Sequence, residues 1–261
     1  MNEKISYEHL KKTGETVDDI LRGRLKILQK EKGYRFSLDS ILLAHFIRLK
    51  RNNRVVDLGT GSGIIAMILT YRFDLQGVIA VDVQAELVDM ARRSIRLNGL
   101  ESRIDIQQGD VRDVRNFLDP QSFDMAVFNP PYRKLDSGRI NPDGERAVAR
   151  HEIMGSIADF LSSAKYLLKD TGGVFLIYPA RRSAELIYQM RLNSIEPKQI
   201  RMVHSDSSSR AEFILAEGVK RGGEELTVMP PLFIYHEKGT YSQEMEEIFR
   251  EISYPAATVD L

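Results

Sequence analysis

The stretch Val55-Val56-Asp57-Leu58-Gly59-Thr60-Gly61-Ser62-Gly63 restricts the fold more than any other part of the chain. A short run of strand character passes directly into three glycines at alternate positions, and an apolar segment of helical length, residues 64–71, follows. A buried strand that turns through glycines into a helix is the opening of a βαβ unit, and glycine lets the backbone turn tightly and lets a ligand come close to it. The G-x-G-x-G spacing excludes two common phosphate loops. A dinucleotide loop, G-x-G-x-x-G, needs glycine where Ile64 stands, and there is no Gly-Lys-Ser/Thr for a nucleoside triphosphate.

The alternation continues downstream. Strands are predicted over residues 54–58, 77–83, 104–107 and 123–129, and helices over 64–71 and 85–98, the second closed by Asn98-Gly99 as a C-cap. A polar loop, 133–150, precedes a helix over 153–168, a strand over 174–178 and a helix over 183–193. Late strands near 200–204 and 211–219 have no long helix between them, which suits an antiparallel pair. The pattern predicts a doubly wound α/β domain with a mostly parallel sheet.

Residues 1–35 are polar and mix Lys11, Lys12, Arg22, Arg24, Lys26, Lys30, Lys32 and Arg35 with acids, so they read as a solvated, partly basic N-terminal extension. Ser37-Leu38-Asp39 then opens an apolar helix over 40–49. The expected division is an extension (1–35), one large domain (36–221) and a tail (222–261) that packs on it. The 37 basic and 37 acidic residues balance, so any nucleic-acid site must be a local patch. With no cysteine, disulfides, thiolate metal sites and cysteine nucleophiles are excluded. A polar start and the lack of a long apolar run make a cytoplasmic protein the expectation.

Three further features stand at successive strand ends. Asp82 closes the strand after the glycine loop, where a carboxylate can accept hydrogen bonds from both hydroxyls of a ribose. Asp110, in Gly109-Asp110-Val111, is placed to contact an adenine ring or to cap a helix. Asn129-Pro130-Pro131-Tyr132 ends the fourth strand. Two prolines can continue neither a helix nor a central ladder, so this segment is a stiff loop at the carboxyl edge of the sheet, where α/β proteins bind ligands.

Together, the segment from Asp57 to Gly63, Asp82, Asp110 and Asn129-Pro130-Pro131-Tyr132 resemble the class I S-adenosylmethionine-dependent methyltransferases. The resemblance implies a Rossmann-like fold with a mostly parallel seven-stranded sheet, helices on both faces and an antiparallel late strand. It also implies S-adenosylmethionine as cofactor, held by Phe36, Ser37, Asp57, Gly59, Thr60, Gly61, Gly63, Asp82, Val83, Asp110, Val111 and Asn129. The Asn-Pro-Pro-Tyr loop is similar to that of the amino-methylating branch, which acts on adenine N6, cytosine N4, guanine N2 or the glutamine amide, and it makes Asn129, Pro130, Pro131 and Tyr132 the catalytic set. Within that branch, Lys32-Gly33-Tyr34-Arg35-Phe36-Ser37-Leu38-Asp39-Ser40, Pro230-Pro231-Leu232-Phe233-Ile234-Tyr235 and Gly239-Thr240-Tyr241-Ser242 resemble bacterial tRNA adenine-N6 methyltransferases that modify a valine tRNA beside its anticodon.

An exocyclic amine is a poor nucleophile because its lone pair is delocalised into the ring. Acceptors on its two N–H groups, here the Asn129 side-chain oxygen and the Pro130 carbonyl, favour a geometry that frees the lone pair and suit the positive charge that develops on nitrogen. Proline stiffness keeps them aimed. Tyr132 offers a face for a flipped base, and Arg133, Lys134, Arg139, Arg146 and Arg150 in the following loop offer partners for RNA phosphates. An ordinary surface loop is the alternative reading of that segment. Phe36 and Ser37 suit either a place over the cofactor or a core aromatic followed by a helix cap. His151-Glu152 reads as a helix-start pair, and no metal site is expected.

Three other activities fit parts of the pattern. A glutamine methyltransferase acting on release factors shares the loop, but such enzymes carry a larger helical domain ahead of the glycines than the 58 residues before Gly59. A ribosomal RNA guanine-N2 enzyme more often has phenylalanine at the position of Tyr132. An inactive RNA-binding module is at odds with intact Gly59, Gly61, Gly63, Asp82 and Asn129.

Overall fold

A computed structural model describes residues 7–32, 35–131, 155–237 and 239–255. Its centre is a sheet built from β3 (Arg54–Leu58), β4 (Gly77–Asp82), β5 (Ile104–Gln108), β6 (Phe123–Phe128), β7 (Leu168–Pro179), β8 (Ile195–His204) and β9 (Ala211–Lys220), in the order β8-β9-β7-β6-β3-β4-β5. Pairs β3–β4, β4–β5, β3–β6 and β6–β7 are parallel, whereas β9 runs antiparallel to both β7 and β8. Two strands of two residues each, β10 (Thr227–Val228) and β11 (Leu232–Phe233), add to β8, so among the described residues the sheet has nine strands, the expected seven and these two. Strands this short carry no periodic signal in the sequence.

Successive residues of the central strands bury on opposite faces, as the pleat requires. Val55, Val127 and Ile177 join one apolar cluster, and their neighbours Val56, Phe128 and Tyr178 join the other. The first face is covered by α1 (Leu38–Phe46), α2 (Ile64–Arg72), α3 (Ala85–Leu97) and α6 (Gln243–Glu251), and the second by α4 (Ile157–Leu167) and α5 (Ser183–Leu192). Helix α4 begins later than the predicted 153. Ser156 accepts from the Asp159 amide at 3.3 Å, and Asp159 accepts from the Ser156 amide at 2.7 Å, a reciprocal cap that fixes the start.

The N-terminal segment differs most from its sequence reading. Its polarity predicts a solvated extension, but β1 (Glu15–Ile20) and β2 (Leu25–Lys30) form an antiparallel hairpin that lies on α3. Leu25, Ile27 and Leu28 are buried beneath it, and the Leu28 amide donates to the Ser94 hydroxyl at 3.0 Å. Arg93 holds Glu15 through two bonds of 2.6 and 2.7 Å, both side chains being nearly buried. Polar residues here make long-range contacts, and so the polarity of the segment does not mean solvation.

The chain order reverses beside β3. From β3 it proceeds outwards through β4 and β5, and it then returns to the other side of β3 with β6. Such a reversal leaves a crevice at the carboxyl ends of β3 and β6.

Candidate active site

That crevice is where the predicted residues gather. A cleft of about 310 Å³, counted with its open mouth, is lined by Gly59, Asp82, Val83, Asp110, Val111, Asn129 and Pro131. Four different strand ends, after β3, β4, β5 and β6, contribute to it.

The glycine loop owes its shape to two buried carboxylates. Gly59 (φ +70°), Gly61 (φ +59°) and Gly63 (φ +82°) all occupy the left-handed region, which side chains with a Cβ rarely adopt. A Cβ on Gly59 would also meet the Phe160 ring at 3.1 Å. The Gly59 and Thr60 amides donate to the Val81 carbonyl at 2.8 and 2.9 Å, which ties the loop to β4. Asp57 Oδ2 accepts from the Thr60 hydroxyl at 2.6 Å, and Asp82 Oδ2 accepts from the Gly61 amide at 2.8 Å. Asp82 Oδ1 accepts from the Gln84 amide at 2.9 Å, so the same carboxylate also holds the turn into α3.

Burial dominates the electrostatics of both acids. It pushes the Asp57 carboxyl up to about 7, against the Thr60 hydrogen bond and the nearby Ala66 amide, and the neighbouring Asp82 charge adds to the rise. Burial also raises Asp82, opposed by the amides of Gln84 and Gly61. Asp57 Oδ1 and the Ser62 hydroxyl are buried with no hydrogen-bond partner among the described residues. An unsatisfied buried carboxylate oxygen behind the loop calls for a donor or a cation.

Asp110 combines both of its sequence readings. It lines the cleft, and it also caps the 3-10 helix Val111–Asn116 by accepting from the Arg112 amide at 2.8 Å. The Arg112 side chain bonded to it holds its carboxyl below the usual range.

Asn129 stands on the far side of the cleft, half-buried, at the end of β6. Its side-chain Nδ2 donates to Asp39 Oδ2 at 3.1 Å. Asp39, in the first turn of α1, reads in the sequence only as part of a helix opening, and the structure makes it a direct partner of the loop. Phe36 is half-buried against the first apolar cluster, with its amide held by the buried Gln29 side chain at 2.9 Å. Ser37 is exposed and donates its hydroxyl to Asp39 Oδ1 instead of capping α1 directly. Phe36 and Ser37 do not line the cleft itself, nor do Asp57, Thr60, Gly61 and Gly63, which lie in or behind the loop. Tyr132, the basic segment 133–150 and His151-Glu152 fall outside the described residues. Among the described residues no cluster of potential metal ligands occurs, and no helix is long and apolar enough to cross a membrane.

The donors and acceptors suit the expected cofactor. S-adenosylmethionine carries cationic groups, a ribose diol and a flat base. The cleft offers the carboxyls of Asp82 and Asp110, the turn at Gly59 and the apolar edges of Val83 and Val111, with Asp57 and its unsatisfied oxygen behind the loop.

Comparison with known proteins finds relatives along most of the chain. A tRNA1(Val) (adenine(37)-N6)-methyltransferase of Actinobacillus succinogenes is 30% identical over 214 residues, spanning 82% of this chain and 87% of that protein. The protein of the same name from Aeromonas salmonicida is 33% identical over 150 residues, 57% of this chain and 61% of its own length, so that match spans about three fifths of the relative. A crystal structure from Agrobacterium tumefaciens, described as a predicted O-methyltransferase, superposes with a TM-score of 0.68 at 22% identity, over 85% of this chain and 100% of that one, and it shows the shared fold. The methyltransferase small domain matches residues 35–196, from just before α1 to the start of β8, and the chain therefore belongs to that family and is an S-adenosylmethionine-dependent methyltransferase.

Proposed function

We propose that the cleft methylates an exocyclic amino nitrogen, adenine N6, in a tRNA near the anticodon. The observation that carries this reading is the orientation of Asn129. Because Nδ2 donates to a carboxylate, Oδ1 is the end of the amide turned away from Asp39. An acceptor so placed can take one N–H of the amine, and the Pro130 carbonyl can take the other. The names of the relatives support adenine in a valine tRNA.

In this reading Asp82 holds the ribose hydroxyls, Asp110 and Val111 flank the base of the cofactor, and Asp57 with Gly59, Thr60, Gly61 and Gly63 receives its amino-acid end. Val83 supplies an apolar edge, and Phe36 and Ser37 close over the cofactor. When bound, S-adenosylmethionine supplies an electrophilic methyl group on a positively charged sulfur. The protein aligns the N6 lone pair with that carbon. Asn129 and the Pro130 carbonyl would hold the amine while its nitrogen takes the methyl group, the cofactor would leave as the neutral thioether, and the proton lost from nitrogen would go to water. Orientation suffices for an intrinsically reactive donor, and a misplacement of ~1 Å can cost about 100-fold. Tyr132 stacks on the flipped base, and Arg133, Lys134, Arg139, Arg146 and Arg150 contact RNA phosphates. The test is incubation with radiolabelled cofactor and separate pools of tRNA, ribosomal RNA and release factor. Label in tRNA, recovered as N6-methyladenosine, is expected; label confined to protein or to ribosomal RNA overturns the reading.

A further inference from the structure

We infer that Asp39 is the positioning residue that sets which end of the Asn129 amide faces the substrate amine. The two ends of an asparagine amide have nearly the same shape and opposite hydrogen-bonding character. Turned by 180°, Asn129 would aim an NH2 group at another NH2 group, and the acceptor would be lost. What settles the orientation is the partner of the other end. A carboxylate only accepts, so the 3.1 Å contact between Asp39 Oδ2 and Asn129 must be made by Nδ2.

Asp39 is itself fixed. Its Oδ1 accepts from the Ser40 amide at 3.1 Å and from the Ser37 hydroxyl, which leaves Oδ2 directed at Asn129. The side chain is buried, and α1 beneath it is anchored by Leu42 and Leu43, both almost wholly buried. The first turn of a helix favours a negative charge. The charge also bears on the reaction. As positive charge grows on the amine held by Oδ1, the amide polarises, with Oδ1 more negative and Nδ2 more positive, and a carboxylate behind Nδ2 stabilises that change. A simple helix-start acid would have neither consequence.

The inference rests on Asn129 as the acceptor of the amine, and the two are separable by experiment. The hold of Asp39 on the amide is read without any substrate, from the Asn129 side-chain resonances in 15N-labelled protein. Asp39→Asn and Asp39→Ala are expected to shift the Asn129 Nδ2 protons upfield. In transfer assays on whichever acceptor the wild type labels, Asp39→Ala is expected to lower kcat about 100-fold and Asp39→Asn, which keeps the size and loses the charge, about 10-fold. The cofactor Kd should stay within twofold in both. Unmoved Asn129 resonances, or a kcat of Asp39→Ala within twofold of wild type, overturns the inference. So does a loss of kcat matched by an equal loss of cofactor affinity, the mark of general damage. Absence of label in every RNA pool with the wild type sinks the tRNA reading and leaves the resonance test standing.

Discussion

The two walls of the cleft are secured in opposite ways. On the wall formed by β3 and β4, the hydrogen bonds described are local or pass between adjacent strands. The Gly59 and Thr60 amides reach Val81, Thr60 reaches Asp57, and Asp82 holds both Gly61 and Gln84. On the wall formed by β6, the Asn129 side chain is tied to a residue 90 positions away on α1. The first wall is redundant and buried, and the second depends on how a distant helix is seated. Damage to the glycine wall should therefore appear in cofactor affinity and stability, and damage to the Asn129 wall in turnover.

Substitutions can break or sharpen that contrast. The largest effect is expected for Asn129→Ala, which removes an acceptor used mainly as charge develops. Transfer should fall about 1000-fold, by analogy with loss of an oxyanion donor, while calorimetry finds cofactor affinity nearly unchanged. Wild-type turnover in this variant would end the proposed chemistry.

On the glycine wall, Asp57 makes a pH-dependent contribution. Its folded pKa of about 7 lies above the ordinary 3.8, so the folded state binds the extra proton in between. The stability it confers is fully present below about pH 4 and is lost as pH rises through about 7. Since a tenfold difference in proton affinity corresponds to about 1.4 kcal/mol, the change across that window amounts to roughly a few kcal/mol. Urea titrations of wild type and Asp57→Asn without cofactor should converge or cross as pH rises from 4 to 8, and parallel profiles would remove Asp57 as the cause.

Asp82→Ala should weaken cofactor binding about 100-fold, since hydrogen bonds to a charged group contribute roughly 1.5–3 kcal/mol. Unchanged binding by calorimetry would take Asp82 out of the ribose site. The smallest effect is expected for Gly59→Ala, at roughly 1–3 kcal/mol of stability, from the left-handed backbone and the contact with Phe160. A melting temperature equal to wild type would show that the loop can relax, and the wall would be less rigid than its hydrogen bonds suggest.

The same contrast governs what could be read from the chain. The parallel strands were legible because they are buried on both faces and so read as apolar runs such as Val55-Val56 and Ala126-Val127-Phe128. The glycine wall was legible because its contacts are close in sequence or at successive strand ends. The hairpin over residues 15–30 was not, because its fixing partners, such as Arg93 for Glu15, are 78 residues away and polar. Asp39 was hidden differently. An acid in the first turn of a helix already has a local explanation, and nothing near it names Asn129. The start of α4 was open to reading, since Ser156-Ile157-Ala158-Asp159 carries the reciprocal cap in its own spacing.

Helix α6 closes the apolar face on which α1 and α2 lie, with Met245, Ile248 and Ile252 in the same cluster. His45 of α1 meets Glu251 across 206 residues, and the Tyr71 hydroxyl donates to the Ser253 carbonyl across 182. Contacts so distant along the chain carry a larger loop-closure cost than local ones. The helix that bears Asp39 thus shares its packing with a segment made more than 200 residues later. Removal of α6 should therefore lower turnover by loosening the seat of α1 and, through the Tyr71 contact on α2, should reach the glycine wall as well.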